Sequence, residues 1–246
     1  MPPVPSPSDP TPIHLDHVRL QRGSTTVFDD LTLRLNESRI GLIGDNGAGK
    51  SSLFRLICGL DKPQSGSVSV WGFDAHSRPA DRAGLIGMMF QNPDDQIIFP
   101  TVEEELALSL SPNGLTRKVN CQEAREVLTS RGLGHWAERA IGSLSQGQRQ
   151  HVCWLALMMA SPKSVLLDEP FSSLDLPGRI MLDLEILKAN QQVIVSTHLL
   201  DHVRRFKRVI WLEKGQVRAD GDGASVCAAY EADVAARCLS QHMNID

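Results

Sequence analysis

An α/β fold built on a parallel sheet is predicted by three observations. Apolar strands of the buried type, such as residues 165–167 and 193–196, each follow a helical stretch, and strands that alternate with helices form parallel sheets. Near the start, residues 13–20 and 31–35 alternate apolar and polar side chains, which predicts half-buried strands of an antiparallel β layer. From Asn92 to about residue 142 the pattern becomes helical and polar, which predicts a helical insertion.

Shorter patterns predict the remaining elements. A helical pattern over residues 51–60 follows a glycine-rich turn. The tail beyond Gly223 is rich in alanine and is predicted to be helical. Further strands are predicted at residues 39–44, from residue 65 through Val70, at residues 85–90, and at residues 209–212 and 216–219, which form a hairpin around residues 213–215.

These patterns divide the chain into parts. Six of the 14 prolines fall in the first twelve residues, so residues 1–12 are expected to be a flexible tail and not a secretory signal. Residues 13–223 are predicted to form the main domain, with a helical subdomain inserted at about residues 92–160. Residues 224–246 are predicted to be a C-terminal helical tail, whose role the sequence leaves open.

Length and composition exclude several classes of protein. With 246 residues, of which 41% are hydrophobic and 22% charged, the chain can bury a core and most of it is not disordered. Its 25 Lys and Arg against 29 Asp and Glu give a net charge of −4, the opposite of the usual balance in nucleic-acid-binding proteins. The longest apolar run, residues 152–160, is far shorter than the ~20 residues that span a bilayer. Five scattered cysteines without a C-x-x-C pair predict reduced thiols.

Residues 44–51, the phosphate loop, match the pattern G-x-x-x-x-G-K-[ST]. Glycines let backbone N–H groups turn inward around a phosphate, and the following helix directs its positive dipole end at the same anion. Lys50 supplies a point charge to the β and γ phosphates, and the Ser51 hydroxyl can ligate Mg²⁺. The alternative is a chance glycine-rich turn, but the context of strand, loop and helix favours a P-loop NTPase (RecA-like) core.

Two carboxylates, Asp168 and Glu169, follow the apolar strand at residues 165–167. In a nucleotide site the first carboxylate can hold Mg²⁺ through its water shell, and the second can orient and activate the attacking water. Taken alone, the pair could be a solvated strand end. Together with the phosphate loop, it predicts catalytic chemistry.

A second helix start that can bind an anion lies at residues 144–148, the signature segment, whose sequence is Leu-Ser-Gln-Gly-Gln. Ser145 is predicted to cap the helix, and Gly147 leaves backbone N–H groups open to an anion. Such helix starts are common, so the segment by itself does not identify a site.

In their order along the chain these motifs resemble the ATPases of the ABC family, over about residues 13–221. The order is the phosphate loop, Gln91 after a strand, the signature segment, Asp168-Glu169, and His198 after a strand. The resemblance implies an ATPase that uses ATP and Mg²⁺, in which the signature segment contacts ATP held by the opposite subunit and residues 173–175 communicate across the dimer. The implied catalytic residues are Glu169, His198 and Gln91, and the implied metal-binding residues are Ser51, Gln91 and Asp168. The implied nucleotide-binding residues are Gly44, Asp45, Asn46, Gly47, Ala48, Gly49, Lys50, Ser51, Ser52, Arg22, Ser145, Gly147 and Gln148.

Two positions depart from the family pattern. Gln146 replaces the first glycine of the usual Leu-Ser-Gly-Gly-Gln, which reduces backbone latitude, while Ser145 and Gly147 remain for phosphate capture. The family usually stacks an aromatic residue on adenine, and the corresponding position here is Arg22. A guanidinium can stack on a base, or it can simply be solvated.

Residues 90–96 and 100–105 are similar to the energy-coupling-factor group of bacterial vitamin and metal-ion importers. The resemblance implies that Asp94, Asp95 and the Glu103–Glu105 run face a basic coupling helix of a transmembrane subunit. Thr101 with Glu104 also fits a capping box, and the acids could equally form a solvated face.

Segments 39–44 and 211–213, together with Gln146, are most similar to the ATPase of biotin importers, with cobalt or nickel importers as the alternative. The resemblance implies an ATPase homodimer on the cytoplasmic face of the inner membrane. Its implied partners are a transmembrane coupling subunit and a substrate-binding membrane subunit, without nucleic acid. A soluble ABC ATPase of DNA repair or translation is a further alternative, although such proteins typically carry a coiled-coil insertion or two cassettes. A small P-loop kinase would not need the signature segment.

Overall fold

The computed structural model describes residues 11–82, 84–111 and 114–243. The described residues form two compact units: those up to 85 together with those from 196 onward make the first unit, and those from 86 to 195 make the second. The expected tail lies outside the described residues apart from residues 11 and 12. Residues 83, 112, 113 and 244–246 lie outside them as well. The domain boundaries inferred from the sequence stay predictions.

The elements are numbered in chain order across both units. The strands of the first unit are β1 (Ile13–Arg22), β2 (Thr25–Leu35), β3 (Arg39–Ile43), β4 (Ser65–Val70), β5 (Phe73–Asp74), β9 (Arg208–Glu213) and β10 (Gln216–Gly221). Its helices are α1 (Lys50–Ile57), α2 (Pro79–Arg82), α7 (Leu200–Val203) and α8 (Gly223–Met243). The second unit contains β6 (Ile86–Met89), β7 (Ser164–Asp168), β8 (Gln192–Ser196, which ends at the boundary), α3 (Val102–Leu108), α4 (Arg117–Ser130), α5 (Gln146–Ala160) and α6 (Leu176–Lys188).

An antiparallel sheet in the order β2-β1-β4-β5 lies in the first unit, which confirms the predicted β layer. β2 is longer than the predicted residues 31–35, because Asp29 and Asp30 break the apolar alternation without ending the strand. The pairing register shifts between Leu15 and Val18, and at this irregularity His17 Nδ1 lies 2.6 Å from Asp30 Oδ1. A bulge of this kind lets a strand continue past residues that do not fit its pattern.

The first unit also contains β3, which pairs in parallel with β9, and β10, which pairs antiparallel with β9. Lys214 and Gly215 form the turn between β9 and β10, with φ values of 48° and 77°. Two central residues with positive φ are the requirement of the tight hairpin turn that matches strand twist. A Cβ at Gly215 would lie 1.7 Å from the Val27 carbonyl oxygen, so glycine is required there. The predicted hairpin is confirmed.

In the second unit, β6 and β7 pair in parallel, and the strand order is β8-β7-β6. Every residue of β7 and β8 is buried, which explains their continuous apolar character. α5 buries Val152, Trp154 and Leu155. Parallel strands that alternate with helices confirm the predicted α/β class.

The sequence predicted that the longest apolar run is too short to span a bilayer and that the cysteines are reduced thiols. Within the described residues no helix is long and apolar enough to cross a bilayer. All five cysteines lie within the described residues and none forms a disulfide, and burial raises the pKa of Cys58 and of Cys153 to about 12.

Candidate nucleotide-binding site

The phosphate loop connects the end of β3 to the start of α1 in the first unit. Gly44, Gly47 and Gly49 have φ values of 141°, 81° and 109°, a region that favours glycine. A Cβ at Gly44 would lie 2.1 Å from the Leu212 carbonyl oxygen, whereas a Cβ at Gly47 would meet no described atom within 4 Å. The loop is therefore packed tightly where it leaves β3 and open at its middle.

Positive groups converge at the start of α1. The N-cap is Gly49, which has no side chain to occupy the first N–H groups of the helix, so these donors suit an anion. Lys50 is buried, and its ammonium donates to the carbonyl oxygens of Gly44 (2.7 Å) and Asp45 (3.1 Å). Ser51 is exposed beside it. The loop thus offers a cation, backbone donors and a hydroxyl on one short segment.

His198 belongs to the first unit and follows β8. The preceding Thr197 donates its N–H to the carbonyl oxygen of Leu42 at 3.1 Å, and its hydroxyl accepts from Leu199 N–H at 3.0 Å. Leu42 lies in β3, two residues before the phosphate loop begins. These bonds fix the exposed His198 on a turn attached to the strand that leads into the loop.

Arg22 takes part in an ion-pair cluster. Its guanidinium pairs with Asp61, which also receives Arg55 Nη2 at 2.9 Å. The hydrogen bond from Arg55 is the main cause that holds the pKa of Asp61 below its ordinary range, and Arg22 adds to it. Arg22 therefore has an acidic partner, and its stacking on adenine stays a prediction.

The second unit presents Gln91 and the two carboxylates at one edge. Met89 of β6 pairs with Leu167 of β7, so the two parallel strands end side by side. Gln91 follows β6, while Asp168 ends β7 and Glu169 comes next. Asp168 is only 6% exposed and Glu169 only 9%. Because parallel strands point their carboxyl ends to the same edge, these three side chains start from neighbouring positions.

Glu169 has a left-handed backbone, with φ of 47°. This conformation is unfavourable for a non-glycine residue by about 1–2 kcal/mol. Its carbonyl oxygen accepts from the N–H (3.2 Å) and the hydroxyl (3.0 Å) of Ser172, which stabilises the turn. Strained residues of this kind concentrate at functional sites, which agrees with the role predicted for Glu169.

The signature segment begins α5 with a complete capping box. Ser145 Oγ accepts from Gln148 N–H at 3.2 Å, and Gln148 Oε1 accepts from Ser145 N–H at 3.0 Å. The predicted N-cap is confirmed, while the reciprocal role of Gln148 was not foreseen. The two side chains hold the helix start in a fixed conformation.

Gly147 packs against the segment that precedes α6. A Cβ there would lie 3.3 Å from Leu174 Cδ2 and 3.4 Å from the Ser173 carbonyl oxygen, so the two segments are in close contact at this glycine. A cavity of about 790 Å³ lies between the start of α5 and α6. Gln150 lines this cavity, and within the described residues its buried amide has no hydrogen-bond partner. The signature segment and residues 173–175 thus border one concave surface.

Glu105 is a correction to the expected docking acids. It is only 7% exposed, and its Oε2 accepts from the N–H groups of Ile98 (2.9 Å) and Phe99 (2.8 Å). The expectation that the whole Glu103–Glu105 run faces a partner is wrong for Glu105, because this carboxylate is turned inward to hold the chain before α3.

The capping box expected at the start of α3 is also wrong. Thr101 is the N-cap residue, but its side chain accepts no bond from a backbone N–H of the described helix α3. Its hydroxyl donates to Glu104 Oε2 at 2.7 Å, and Arg117 pairs with the same carboxylate. Thr101 and Glu104 are the residue types of a capping box, but the Glu104 carboxylate forms an ion pair with Arg117 instead of the capping bond.

Asp94 and Asp95 are exposed, as a docking role requires. Asp94 Oδ1 also lies 3.0 Å from Nε of Arg149, which belongs to the first turn of α5. Ile98, nearby in the chain, is 74% exposed. The segment therefore combines free surface with a direct ion pair to the helix of the signature segment.

Sequence reasoning missed the partners of Asp45. Tyr230 and Arg237 of α8 bond its carboxylate at 2.8 and 2.7 Å. These residues lie 185 and 192 positions away in the chain, so no local pattern could reveal the contact.

The residues present fit a nucleotide and Mg²⁺. Gly47 leaves open space in the loop, the start of α1 offers N–H donors, and the Lys50 ammonium is held by the carbonyl oxygens of Gly44 and Asp45. Buried carboxylates at strand ends suit an ion held partly by phosphates. A strand, glycine loop and lysine-bearing helix, with acids at the end of a parallel strand, define a P-loop NTPase.

The chain belongs to the ABC transporter family, which it matches over residues 28–172. It is 46% identical over 218 residues to the biotin transport ATP-binding protein BioM of Rhodobacter capsulatus, covering 89% of this chain and 93% of that protein. It is 35% identical over 222 residues to the energy-coupling factor transporter ATP-binding protein EcfA1 of Ligilactobacillus salivarius, covering 87% and 79%. The chain is thus an ATPase that uses ATP with Mg²⁺.

A solved structure shares the fold. cbiO1 from Clostridium perfringens, part of the ABC transporter complex cbiONQ, has a TM-score of 0.76 at 22% identity. The match covers 92% of this chain and 93% of that one. At this identity the likeness concerns the fold alone.

Proposed function

We propose that this chain is the ATP-hydrolysing subunit of an energy-coupling-factor importer for biotin, bound to the cytoplasmic face of the inner membrane. The observation that carries the proposal is the 46% identity, over nearly the whole of both chains, to a biotin transport ATP-binding protein. The strand-end acids, the phosphate loop and the signature segment supply the chemistry that such a subunit needs.

The phosphate loop binds the nucleotide. Lys50 and the N–H groups of residues 47–52 hold the phosphates, and the Ser51 hydroxyl with Asp168 would hold Mg²⁺, which neutralises phosphate charge when bound. Lys50 exchanges its present carbonyl partners for phosphate oxygens. Support comes from the open space at Gly47 and the N–H donors at the start of α1.

Hydrolysis depends on residues that orient water. Glu169 accepts a proton from the attacking water, and its strained backbone fixes the direction of its carboxylate. Gln91 and His198 position the water and the γ-phosphate oxygens from their own strand ends. Burial of the carboxylates at the end of β7 limits their own contact with bulk water.

Two copies of the chain complete each site. Ser145 and Gly147 of one copy bind the phosphates held by the loop of the other copy, and residues 173–175 lie beside them. The concave surface between α5 and α6 supports this role, because it presents the signature segment and residues 173–175 together.

Docking to the transmembrane coupling subunit uses Asp94, Asp95 and the exposed Ile98. Exposed acids attract a basic coupling helix, and an apolar side chain adds contact area. The ion pair from Asp94 to Arg149 connects this surface to α5, and Arg149 Nη1 also donates to the carbonyl oxygen of Leu144 in the signature segment at 3.0 Å. A substrate-binding membrane subunit would complete the importer.

A pull-down from detergent-solubilised membranes tests the proposal. The tagged chain, expressed at its natural level, should retain integral membrane proteins that are eluted together with it. The double variant Asp94→Asn, Asp95→Asn should retain less of these membrane proteins. The double variant Glu123→Gln, Glu126→Gln, which changes two exposed acids of α4, is the matched control and should retain them like wild type. A chain that purifies alone, or with ribosomes or DNA, contradicts the importer and favours a soluble ABC ATPase.

A further inference from the structure

The C-terminal helix α8 reaches back to the phosphate loop. Tyr230 donates its hydroxyl to Asp45 Oδ1 at 2.8 Å. Arg237 Nη1 lies 2.7 Å from Asp45 Oδ2, and its Nη2 lies 3.4 Å from Oδ1. Asp45 is the second residue of the loop, so a helix near the end of the chain bonds directly to the nucleotide-binding segment.

Neighbouring contacts hold α8 in place for this purpose. The ring of Tyr230 packs edge-on against Trp211 of β9, with 5.3 Å between ring centroids. Arg237 also bonds Asp233 one turn earlier, at 2.6 Å. Arg204 and Glu231 form a separate ion pair that does not involve the loop. The contacts with Trp211 and Asp233 therefore fix the orientation of the Tyr230 and Arg237 side chains that bond Asp45.

The Asp45 carboxylate places a negative charge on the phosphate loop. The loop binds a multiply charged anion, and a negative charge on it repels that anion. The hydrogen bond from Arg237 is the largest cause that holds the pKa of Asp45 below its ordinary value, so the group is fully charged near neutral pH. Its charge must be balanced by a neighbour, and Arg237 is the cation bonded to it.

The same residue also shapes the loop through its backbone. The Asp45 carbonyl oxygen accepts from Ala48 N–H at 3.1 Å and from Lys50 Nζ at 3.1 Å. The bond from Ala48 closes the turn of the loop at Asp45, the residue whose side chain Tyr230 and Arg237 hold. Charge balance and loop shape therefore depend on one residue and its partners on α8.

We infer that Arg237 and Tyr230 are positioning residues for ATP binding. Arg237 balances the charge of the Asp45 carboxylate, and both residues hold this carboxylate against α8. The inference rests on the proposed assignment of residues 44–51 to the phosphates of ATP. It gives the C-terminal helix a role in the nucleotide site of its own chain.

The test compares dissociation constants for MgATP in the full-length protein at low and at high ionic strength. Arg237→Gln should weaken binding roughly three- to tenfold at low salt, as expected when an unbalanced unit charge lies near several phosphate charges. The loss should shrink at high salt, because exposed charges are then screened. Adding Asp45→Asn to Arg237→Gln should restore most of the affinity, since the repelling charge is gone.

Arg204→Gln is the matched control, because it removes an equivalent arginine ion pair from α8 without touching Asp45. It should bind MgATP like wild type. Equal affinity of Arg237→Gln and wild type would overturn the inference. Failure of Asp45→Asn to restore binding, or an equal loss in Arg204→Gln, would assign the effect to helix packing and overturn it as well. Lys50→Ala checks the underlying assignment: if it binds ATP normally, the proposed loop function fails independently of α8.

Discussion

Glu169 combines burial, a left-handed backbone and a position directly after the last residue of β7. A glycine would hold this conformation with less strain, so the presence of a glutamate indicates that its carboxylate is needed there. Lys50, by contrast, is held by two loop carbonyls in a position where phosphates can replace them. The two residues therefore serve separable steps, chemistry and binding.

Glu169→Gln should keep ATP binding and lose hydrolysis. The substitution preserves shape but removes the base, and loss of a general base lowers rates ~10²- to 10⁴-fold, or about 3–5 kcal/mol of barrier. Lys50→Ala should instead weaken ATP binding itself. Nucleotide affinity and single-turnover hydrolysis of both variants separate the effects. Hydrolysis by Glu169→Gln near the wild-type rate would mean that another residue, with His198 the next candidate, orients the water.

Asp61 provides a prediction on pH and stability. Its pKa is lowered in the folded state by Arg55 and Arg22, so its contribution is present above the unfolded pKa and is lost as pH falls through the folded value. Asp61→Asn should lower the free energy of unfolding by about 1–2 kcal/mol near neutral pH. Denaturant unfolding should show this difference vanish in acid. A difference that persists unchanged below both pKa values would exclude the ion pairs as its cause.

Helices α3 and α5 both begin with a residue pattern suited to capping, yet only α5 forms the reciprocal bonds. At α3, Arg117 from the start of α4 pairs with the Glu104 carboxylate. The local residue pattern therefore predicted where each helix begins but not which side-chain bonds cap its N-terminus. The docking acids show the same limit, since sequence alone did not separate the buried Glu105 from the exposed Asp94.

Neutralising Asp94 and Asp95 should weaken assembly with the membrane partner and leave ATP binding by the isolated subunit intact. Both are exposed, so their neutralisation should change the free energy of unfolding little. Glu105→Gln should behave differently and destabilise the fold, because two backbone N–H groups lose a charged acceptor. Co-purification yield and thermal unfolding measure the two effects. Loss of nucleotide binding in the Asp94 and Asp95 variant would place these acids in the catalytic fold.

At the scale of the whole molecule, most of the fold followed from the sequence because strands, turns and helix starts have local signals. The phosphate loop, the strand-end acids and the hairpin at Gly215 are examples. What sequence could not reveal were contacts between distant segments, such as Arg22 with Asp61 and Tyr230 with Asp45. Such contacts depend on how elements meet in space, and no spacing rule encodes them.

The chain carries a phosphate loop and a signature segment, so a head-to-tail pair of identical copies would suffice for two equivalent sites. Glu169→Gln with saturating ATP should sediment as a dimer, because bound nucleotide is not consumed. The same variant without nucleotide should sediment as a monomer. A strict monomer in saturating ATP would refute the shared-site arrangement.

Uptake of labelled biotin tests the central claim most directly. Cells that lack this chain but keep the membrane subunits should recover biotin uptake with the wild-type chain. They should not recover it with Glu169→Gln, although that variant reaches the membrane in equal amount. Full uptake with Glu169→Gln, or recovery of cobalt or nickel uptake with no effect on biotin, would contradict the account.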